Sequence, residues 1–210
     1  MKRGSIEALE IRDFAIGRCV SPEVLARLGR EGILNHVEQA PDGTLLRSVA
    51  VALVDAPLEA IVSEVRGIKT RQGGFLRDVN IIHKVTVLQE RPQGLRIRLE
   101  LRYRFLLFRT TFRVDADVTV DEEGRLDLVG IKGKPEGLKA HFRAQPVDVG
   151  EGPQSLVFCS LRFEVSSLGW LVDYFLRHHP EIELGVFSAT APVIVLTLKE
   201  AVEKRKQEPS

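Results

Sequence analysis

The chain of 210 residues is long enough for one domain with a sizeable core. Its net charge of +1 creates no overall electrostatic field that would favour nucleic-acid binding. The two cysteines, Cys19 and Cys159, have no metal-ligand spacing or redox motif around them. Two unpaired thiols are the simpler interpretation, and a single disulfide between them is the alternative. Acidic residues interrupt the segment after Arg3 where a signal peptide needs an apolar core. This indicates a cytoplasmic protein, or a periplasmic one if a signal was removed.

Residues 1–40 are predicted to form an N-terminal arm with one short helix. The first 20 positions are weakly patterned, whereas Ser21-Pro22-Glu23 supplies a capping hydroxyl, a proline at the first helical position and an acid in the first turn. The helix is expected to end near Gly29 or Gly32.

Residues 41–206 are predicted to form the main domain. After a turn at Pro41-Asp42-Gly43, residues 44–54 indicate a strand, and a helix follows that begins near Asp55 and ends near Gly67. Six further strands are then expected, at 80–90, 96–107, 112–120, 126–131, 138–147 and 155–165.

Strict alternation marks the second and third of these six strands. In 96–107 the odd positions are apolar, and the even ones are four arginines, Glu100 and Leu106. In 112–120 apolar side chains alternate with polar ones, so each strand has one wet and one dry face. An antiparallel hairpin turning near Phe108 and Arg109 would bring the arginines opposite Asp115 and Asp117.

The C-terminal segment 168–204 is predicted to be helical, with a break at Pro180. The middle of this segment is apolar on nearly every helical face, which indicates that it is buried against another element. Several polar and small residues interrupt it, so the protein's own sheet is the expected cover rather than a membrane. The predicted fold class is α+β, with a curved seven-stranded antiparallel sheet wrapped around a long C-terminal helix.

This element order, together with Ala56-Pro57-Leu58-Glu59-Ala60-Ile61-Val62 directly after the first strand, resembles the START-like or SRPBCC superfamily. The stretch from Leu25 to Leu34 also resembles a bacterial subgroup with a short helix at that place. The resemblance implies a helix-grip fold with an apolar cavity between sheet and C-terminal helix. Relatives use such a cavity to bind lipids, sterols, quinones or polyketides, and some branches cyclise a bound polyketide. The superfamily has no fixed catalytic set to carry over.

The candidate ligand-binding residues are those expected to face this cavity from the strands and the C-terminal helix. They are His83, Val85, Leu101, Tyr103, Phe105, Phe112, Val114, Phe163, Phe187, Thr190 and Ile194.

Two of these candidates could also carry acid–base chemistry. His83 is in phase with Ile81 and Val85, so it is expected to point inward, where it would orient a ligand's polar head or simply be a satisfied core histidine. Tyr103 shares this ambiguity. Thr190 and Thr197 could meet a ligand, but a bond back to the preceding helical turn is the more common arrangement.

No catalytic residue, metal site or cofactor is predicted. His178 and His179 point in different directions on a helix and form a poor metal pair, so a solvated pair is expected. No serine, histidine and acid can be grouped into a triad.

Three functions therefore remain open. Non-catalytic binding, transport or sensing of a hydrophobic small molecule is favoured, because an enclosed apolar face comes without an acid–base constellation. The alternatives are a polyketide cyclase or aromatase using the same cavity, with His83 and Tyr103 as acid–base candidates, and an interaction module with a filled core. The expected partners are the hydrophobic ligand and, transiently, a membrane surface, which a basic stripe of Arg96, Arg98, Arg102 and Arg104 could meet.

Overall fold

A computed structural model describes residues 22–41, 45–70, 73–92, 94–105, 108–148 and 152–207. The elements in chain order are α1 Pro22–Glu31, β1 Ile33–Gln39, β2 Leu45–Val54, α2 Leu58–Thr70, a 3-10 helix Gly74–Arg77, β3 Ile82–Arg91, β4 Gly94–Phe105, β5 Phe108–Val120, β6 Leu126–Gly133, β7 Glu136–Val147, β8 Gln154–Glu164, a 3-10 helix Val165–Leu168, α3 Trp170–His178 and α4 Pro180–Gln207. The predicted arm over residues 1–20 and part of the turn at residues 41–43 lie outside the described residues.

The eight strands form one antiparallel sheet in the order β1-β2-β8-β7-β6-β5-β4-β3. The expectation of seven strands is therefore wrong by one, because β1 lies within the segment assigned to the arm. Helix α1 ends at Glu31, and Gly32, with φ of 74°, donates its N–H to the Leu28 carbonyl at 2.8 Å and turns the chain into β1. Glycine tolerates this left-handed conformation without the steric cost that a Cβ would bring.

Helix α4 lies across the inner face of the sheet, against β1, β2 and β8. One side of the helix is buried, through Phe187, Ala191, Val195, Leu198 and Val202. Other parts of the helix stay partly in water, with Leu184 near its start exposed by 41% and Leu196 by 37%. The stretch Glu181–Lys204 is long and apolar enough to cross a membrane, and 28% of its most apolar window is buried within the fold. The sheet thus covers one face of the helix rather than all of it.

Pro192 lies inside α4 without ending it. Proline has no N–H, so the carbonyl of Ser188, four residues earlier, lacks its usual helical donor. The side chain of Asn35 on β1 donates to this carbonyl at 2.6 Å, and Ser48 on β2 donates to the Asn35 amide oxygen at 3.3 Å. The first two strands therefore supply the hydrogen bond that the proline removes.

A second, smaller core lies on the outer face of the sheet. Leu28 from α1 packs there with Leu34, Leu156 and Phe158. Both faces of β1, β2 and β8 thus carry packed side chains, which explains why β8 is buried at consecutive positions from Ser155 to Leu161 and why β1 shows no clear alternation.

The β4–β5 hairpin confirms the predicted charge pairing. Arg96 donates two hydrogen bonds to Asp117, at 2.9 and 3.1 Å, and Arg98 donates two to Asp115, at 2.7 and 2.9 Å, each pair directly opposite in register. These hydrogen bonds hold the pKa of both carboxyl groups below the usual range. The turn itself differs from the prediction, because Phe108 and Arg109 already belong to β5; residues 106–107 lie outside the described residues.

The link between Asn35 and Pro192 makes a testable prediction. Replacing Asn35 by alanine should lower the free energy of unfolding by roughly 0.5–1.5 kcal/mol, because the Ser188 carbonyl loses its donor. In a Pro192→Ala background the restored N–H can donate to Ser188, so the same Asn35→Ala change should cost clearly less. Urea denaturation of the four proteins measures this coupling. Equal costs in both backgrounds would show that Asn35 does not compensate for the proline.

Candidate ligand cavity

The space enclosed between the inner face of the sheet, the 3-10 helix Gly74–Arg77 and α4 is a cavity of about 60 Å³. Its lining is almost wholly apolar and comprises Phe75, Leu76, Ile81, Ile82, Leu99, Leu101, Tyr103, Leu126, Leu128, Pro135, Leu138, Ala140, Phe142, Cys159, Leu161, Phe163, Thr190 and Ile194. Pockets that enclose drug-sized ligands are typically about 300–1,000 Å³. In this conformation the cavity is therefore closed to a sterol, quinone or polyketide.

Five of the predicted ligand-binding residues line the cavity, namely Leu101, Tyr103, Phe163, Thr190 and Ile194. Phe187 is buried behind them, with its ring stacked on Phe163 at a centroid distance of 5.0 Å. Val85, Phe112 and Val114 belong to the same buried core without lining the cavity. The side chain of Phe105 lies outside those that the structure describes.

His83 does not face the cavity, and the prediction that it points inward is wrong. Its side chain is exposed, because the register of β3 against β4 shifts between Ile82 and Lys84. A bulge at this place breaks the two-residue period, so Ile82 and Val85 are the buried residues. Of the two acid–base candidates, only Tyr103 remains at the cavity.

Tyr103 and Cys159 are the ionisable groups that line the cavity. Burial raises the pKa of the Tyr103 phenol to about 12 and that of the Cys159 thiol to about 12. Both groups therefore stay protonated near neutral pH, since an apolar environment penalises their charged forms. The Tyr103 ring packs against Phe112 with centroids 6.0 Å apart.

The threonines on α4 bond within their own helix. Thr190 donates to the Val186 carbonyl at 2.6 Å, and Thr197 donates to the Val193 carbonyl at 2.8 Å. This is the common arrangement for hydroxyls in helices. It leaves the cavity wall with little polarity beyond the Tyr103 hydroxyl.

The described histidines lie outside the cavity and do not assemble a metal site; His83, His178 and His179 are exposed. His178 Nδ1 lies 2.8 Å from the Tyr174 carbonyl, and His179 Nδ1 lies 3.0 Å from Glu181. Among the described residues, no group of three histidine, cysteine or acidic side chains could hold a metal ion. The expectation that the histidine pair is solvated agrees with these positions.

Sequence reasoning missed three features of this region. Phe75 and Leu76 line the cavity from a 3-10 helix that has no periodicity to reveal its inward face. Leu126, Leu128 and the inward side chains of β7 also line it, and their alternation could have shown this. The third feature is the burial of Glu64 on α2, whose side chain is only 2% exposed; it lies outside the cavity lining.

A larger but open groove of about 730 Å³ lies between α2, the turn at 121–125 and the end of β7. It forms because the β6–β7 ladder ends at the Leu126 and Phe142 pair, whereas β7 continues beside β8 to Val147. Acidic and basic side chains both line it, among them Glu59, Arg66 and Arg143. It therefore has the volume of a ligand site without the apolar enclosure of the cavity.

Solved structures with similar folds were found, while no family model and no curated protein matches the chain. A protein from Thermus thermophilus aligns with a TM-score of 0.57 at 14% identity, covering 76% of this chain and 98% of the other. The Zhui aromatase/cyclase from a Streptomyces species aligns with a TM-score of 0.54 at 10% identity, covering 83% and 94%. A START superfamily protein from Mycobacterium smegmatis aligns with a TM-score of 0.48 at 17% identity, covering 76% and 98%. The first two alignments show that the chain shares its α+β fold, a large antiparallel sheet with a long C-terminal helix, with those two proteins.

The buried thiol gives a prediction for this region. In a Cys19→Ser variant, Cys159 should react with a maleimide only as fast as the protein opens, because the thiol is buried and its raised pKa keeps it protonated. Labelling should therefore be slow in buffer and rapid in denaturing urea, as followed by mass spectrometry. Rapid labelling of the folded protein would place Cys159 in contact with solvent.

Proposed function

We propose that the protein binds a hydrophobic small molecule between its sheet and α4 without chemically changing it. The observation that carries this proposal is the apolar cavity at the site where sheet and helix meet. Catalysis is not favoured, because His83 lies outside and the Tyr103 phenol, with its pKa of about 12, is a poor base near neutral pH. The ligand class is a lipid, sterol, quinone or polyketide.

Binding such a molecule requires the cavity to expand, and one wall is best placed to move. Most of the lining comes from strands fixed in a ladder or from the long helix α4. Phe75 and Leu76 instead come from a 3-10 helix of four residues, Gly74–Arg77, and elements of this kind open locally at low cost. We therefore assign the opening movement to this helix, with Phe75 and Leu76 leaving the cavity to the ligand.

The two glycines before Phe75 give this helix its sharp entry. Gly73 has φ of 114° and Gly74 has φ of 48°, and a Cβ on Gly74 would lie 2.9 Å from the backbone nitrogen of Ile68. Side chains are poorly tolerated there, since both the conformation and the space exclude them. The closed position of Phe75 thus depends on this pair of glycines.

Binding of the uncharged fluorophore N-phenyl-1-naphthylamine tests the site. Phe75→Ala should strengthen binding by at least about tenfold, because it removes the side chain that fills the cavity. Ala140→Leu should weaken binding by a similar factor, because Ala140 lines the cavity and the added atoms occupy it. Val129→Ala, at an exposed position on the outer sheet face, is the control and should leave binding unchanged.

Circular dichroism establishes that each variant is folded before binding is measured. Equal affinities for Phe75→Ala and Ala140→Leu would contradict the proposed site. Fluorophore binding that only Val129→Ala weakens would place the guest on the outer surface.

A cyclase or aromatase function is the second candidate, since the fold is shared with the Zhui aromatase/cyclase and Tyr103 can donate a proton inside the cavity. Tyr103→Phe separates the two functions. For a carrier, this variant should change fluorophore affinity by no more than a few-fold, because one neutral hydrogen bond is removed. If a linear polyketide mimic is cyclised by the protein and Tyr103→Phe abolishes that turnover while the mimic still binds, the enzyme is favoured.

A further inference from the structure

The open groove of about 730 Å³ beside α2 adjoins the cavity within the sheet. Leu126 and Phe142 line the cavity, and they form the last pair of the β6–β7 ladder. The residues next to them, Arg125 and Arg143, line the groove. The cavity and the groove are thus one residue apart along both strands.

A small side chain lies where the two spaces meet. Strand β7 continues beyond Phe142 beside β8, and Ala144 is the next residue of β7 that packs against the main core. Ala144 is partly buried there and also lines the groove. Alanine has no atom beyond Cβ, so an apolar chain that runs from the cavity into the groove meets no large side chain at this position.

Two arginines flank the last ladder pair. Arg125 and Arg143 occupy the positions that the next pair would have after Leu126 and Phe142. Like charges opposite each other on neighbouring strands destabilise a sheet. Asp121 offsets part of this charge, because it accepts hydrogen bonds from the Arg125 backbone N–H at 2.9 Å and from the Arg125 guanidinium. Positive charge is thus concentrated where the cavity and the groove meet.

Helix α2 brings a third arginine to the groove. The turn at 121–125 packs closely on this helix, since a Cβ on Gly124 would lie 2.8 Å from the Val62 side chain. Arg66 is exposed one helical turn after Val62 and also lines the groove. The contact therefore places the Arg66 side of α2 beside the turn that ends with Arg125.

Gln145 adds a buried amide to the wall that Arg143 forms. The two residues are separated by Ala144 alone, so they lie on the same face of β7. Gln145 is only 6% exposed, and it lines the groove. A primary amide supplies two N–H donors, which suit the oxygens of a carboxylate or a phosphate.

The acidic residues of the groove do not flank the last ladder pair. Glu123 is paired with Arg125 at 3.1 Å. Glu122 is exposed in the turn between β5 and β6, and Glu59 precedes Arg66 by about 10 Å along α2. The side chains directly beside the junction are therefore cationic.

We propose that the groove holds the acidic head group of a guest whose apolar chain occupies the cavity. The ligand class is thereby narrowed to amphiphiles that end in a carboxylate or a phosphate. Arg66 and Arg143 bind the oxygens of the head group, as guanidinium groups bind oxyanions, and Gln145 donates a further hydrogen bond. This inference rests on the proposed function, because the chain enters the cavity only if the cavity opens.

Displacement of N-phenyl-1-naphthylamine by dodecanoate, dodecyl phosphate and dodecanol tests the head-group site. The three compounds have chains of the same length, so they differ only in the head group. At a pH at which the acids are ionised, at least one acid should bind about tenfold or more tightly than dodecanol. Added salt should reduce this preference. The acid that binds more tightly identifies the head group that the groove prefers.

The double variant Arg66→Gln with Arg143→Gln should lose the preference, with acid and alcohol affinities within about threefold of each other. Its dodecanol affinity should stay within about twofold of the original protein, because the chain site is unchanged. Arg66→Gln alone, at an exposed helix position, should give an intermediate preference.

The matched control is Arg113→Gln with Arg162→Gln. These two exposed arginines lie on β5 and β8, and they line neither the cavity nor the groove. The control changes the net charge by the same amount and should keep the preference for the acid. Circular dichroism verifies the fold of each variant.

Dodecanol that binds as tightly as both acids would overturn the head-group site and leave the proposed function intact. A preference for the acids that survives Arg66→Gln with Arg143→Gln, or that the control variant loses equally, would also overturn it. If neither dodecanol nor the fluorophore binds, the cavity admits no guest, and the proposed function fails together with the head-group site.

Discussion

The structure depends on the need to remove one face of α4 from water. Between Glu183 and Lys199 this helix has no charged side chain, so it cannot stand alone on a protein surface. The sheet supplies the cover through strands β1, β2 and β8, which lie next to one another although β8 comes last in the chain. Strand β1 also supplies a hydrogen bond to the helix: Asn35 donates to the Ser188 carbonyl, which has no helical donor because residue 192 is a proline.

The other half of the sheet meets the helix less closely, and the cavity arises there. Strands β4, β6 and β7 line this cavity, together with Phe75 and Leu76 from a short 3-10 helix. A core closed in this way gains packing at the cost of being unable to admit a guest. A hydrophobic carrier needs both states, and the proposed opening of the four-residue 3-10 helix Gly74–Arg77 would reconcile them. The same reasoning explains why an almost filled interior is compatible with a binding function.

The sequence was informative where one face of a strand is wet. The alternation in β4 and β5 predicted their hairpin and the pairing of Arg96 and Arg98 with aspartates, because side chains that alternate in sequence must alternate in space. It was uninformative for β1, whose two faces are both covered, and this strand was missed. The overall α+β architecture with a C-terminal helix could be predicted, whereas the number of strands could not.

The candidate site was predictable to a similar degree. Inward-facing residues such as Leu101 and Phe163 follow from strand phase, but a single bulge next to His83 reversed the orientation predicted for the most reactive candidate. Irregular segments such as Gly74–Arg77 have no period from which an inward face can be inferred. Cavity volume is also beyond sequence patterns, since it depends on small separations between elements that are far apart in the chain.

Whether the space between the sheet and α4 admits an apolar guest can be measured by native mass spectrometry. The protein would be purified without detergent, weighed intact, and then extracted with organic solvent. A fraction of the molecules should be heavier than the polypeptide, and the extract should contain an apolar compound of matching mass. A single species at the polypeptide mass, together with an extract free of such a compound and no uptake of added fatty acid or quinone, would contradict it.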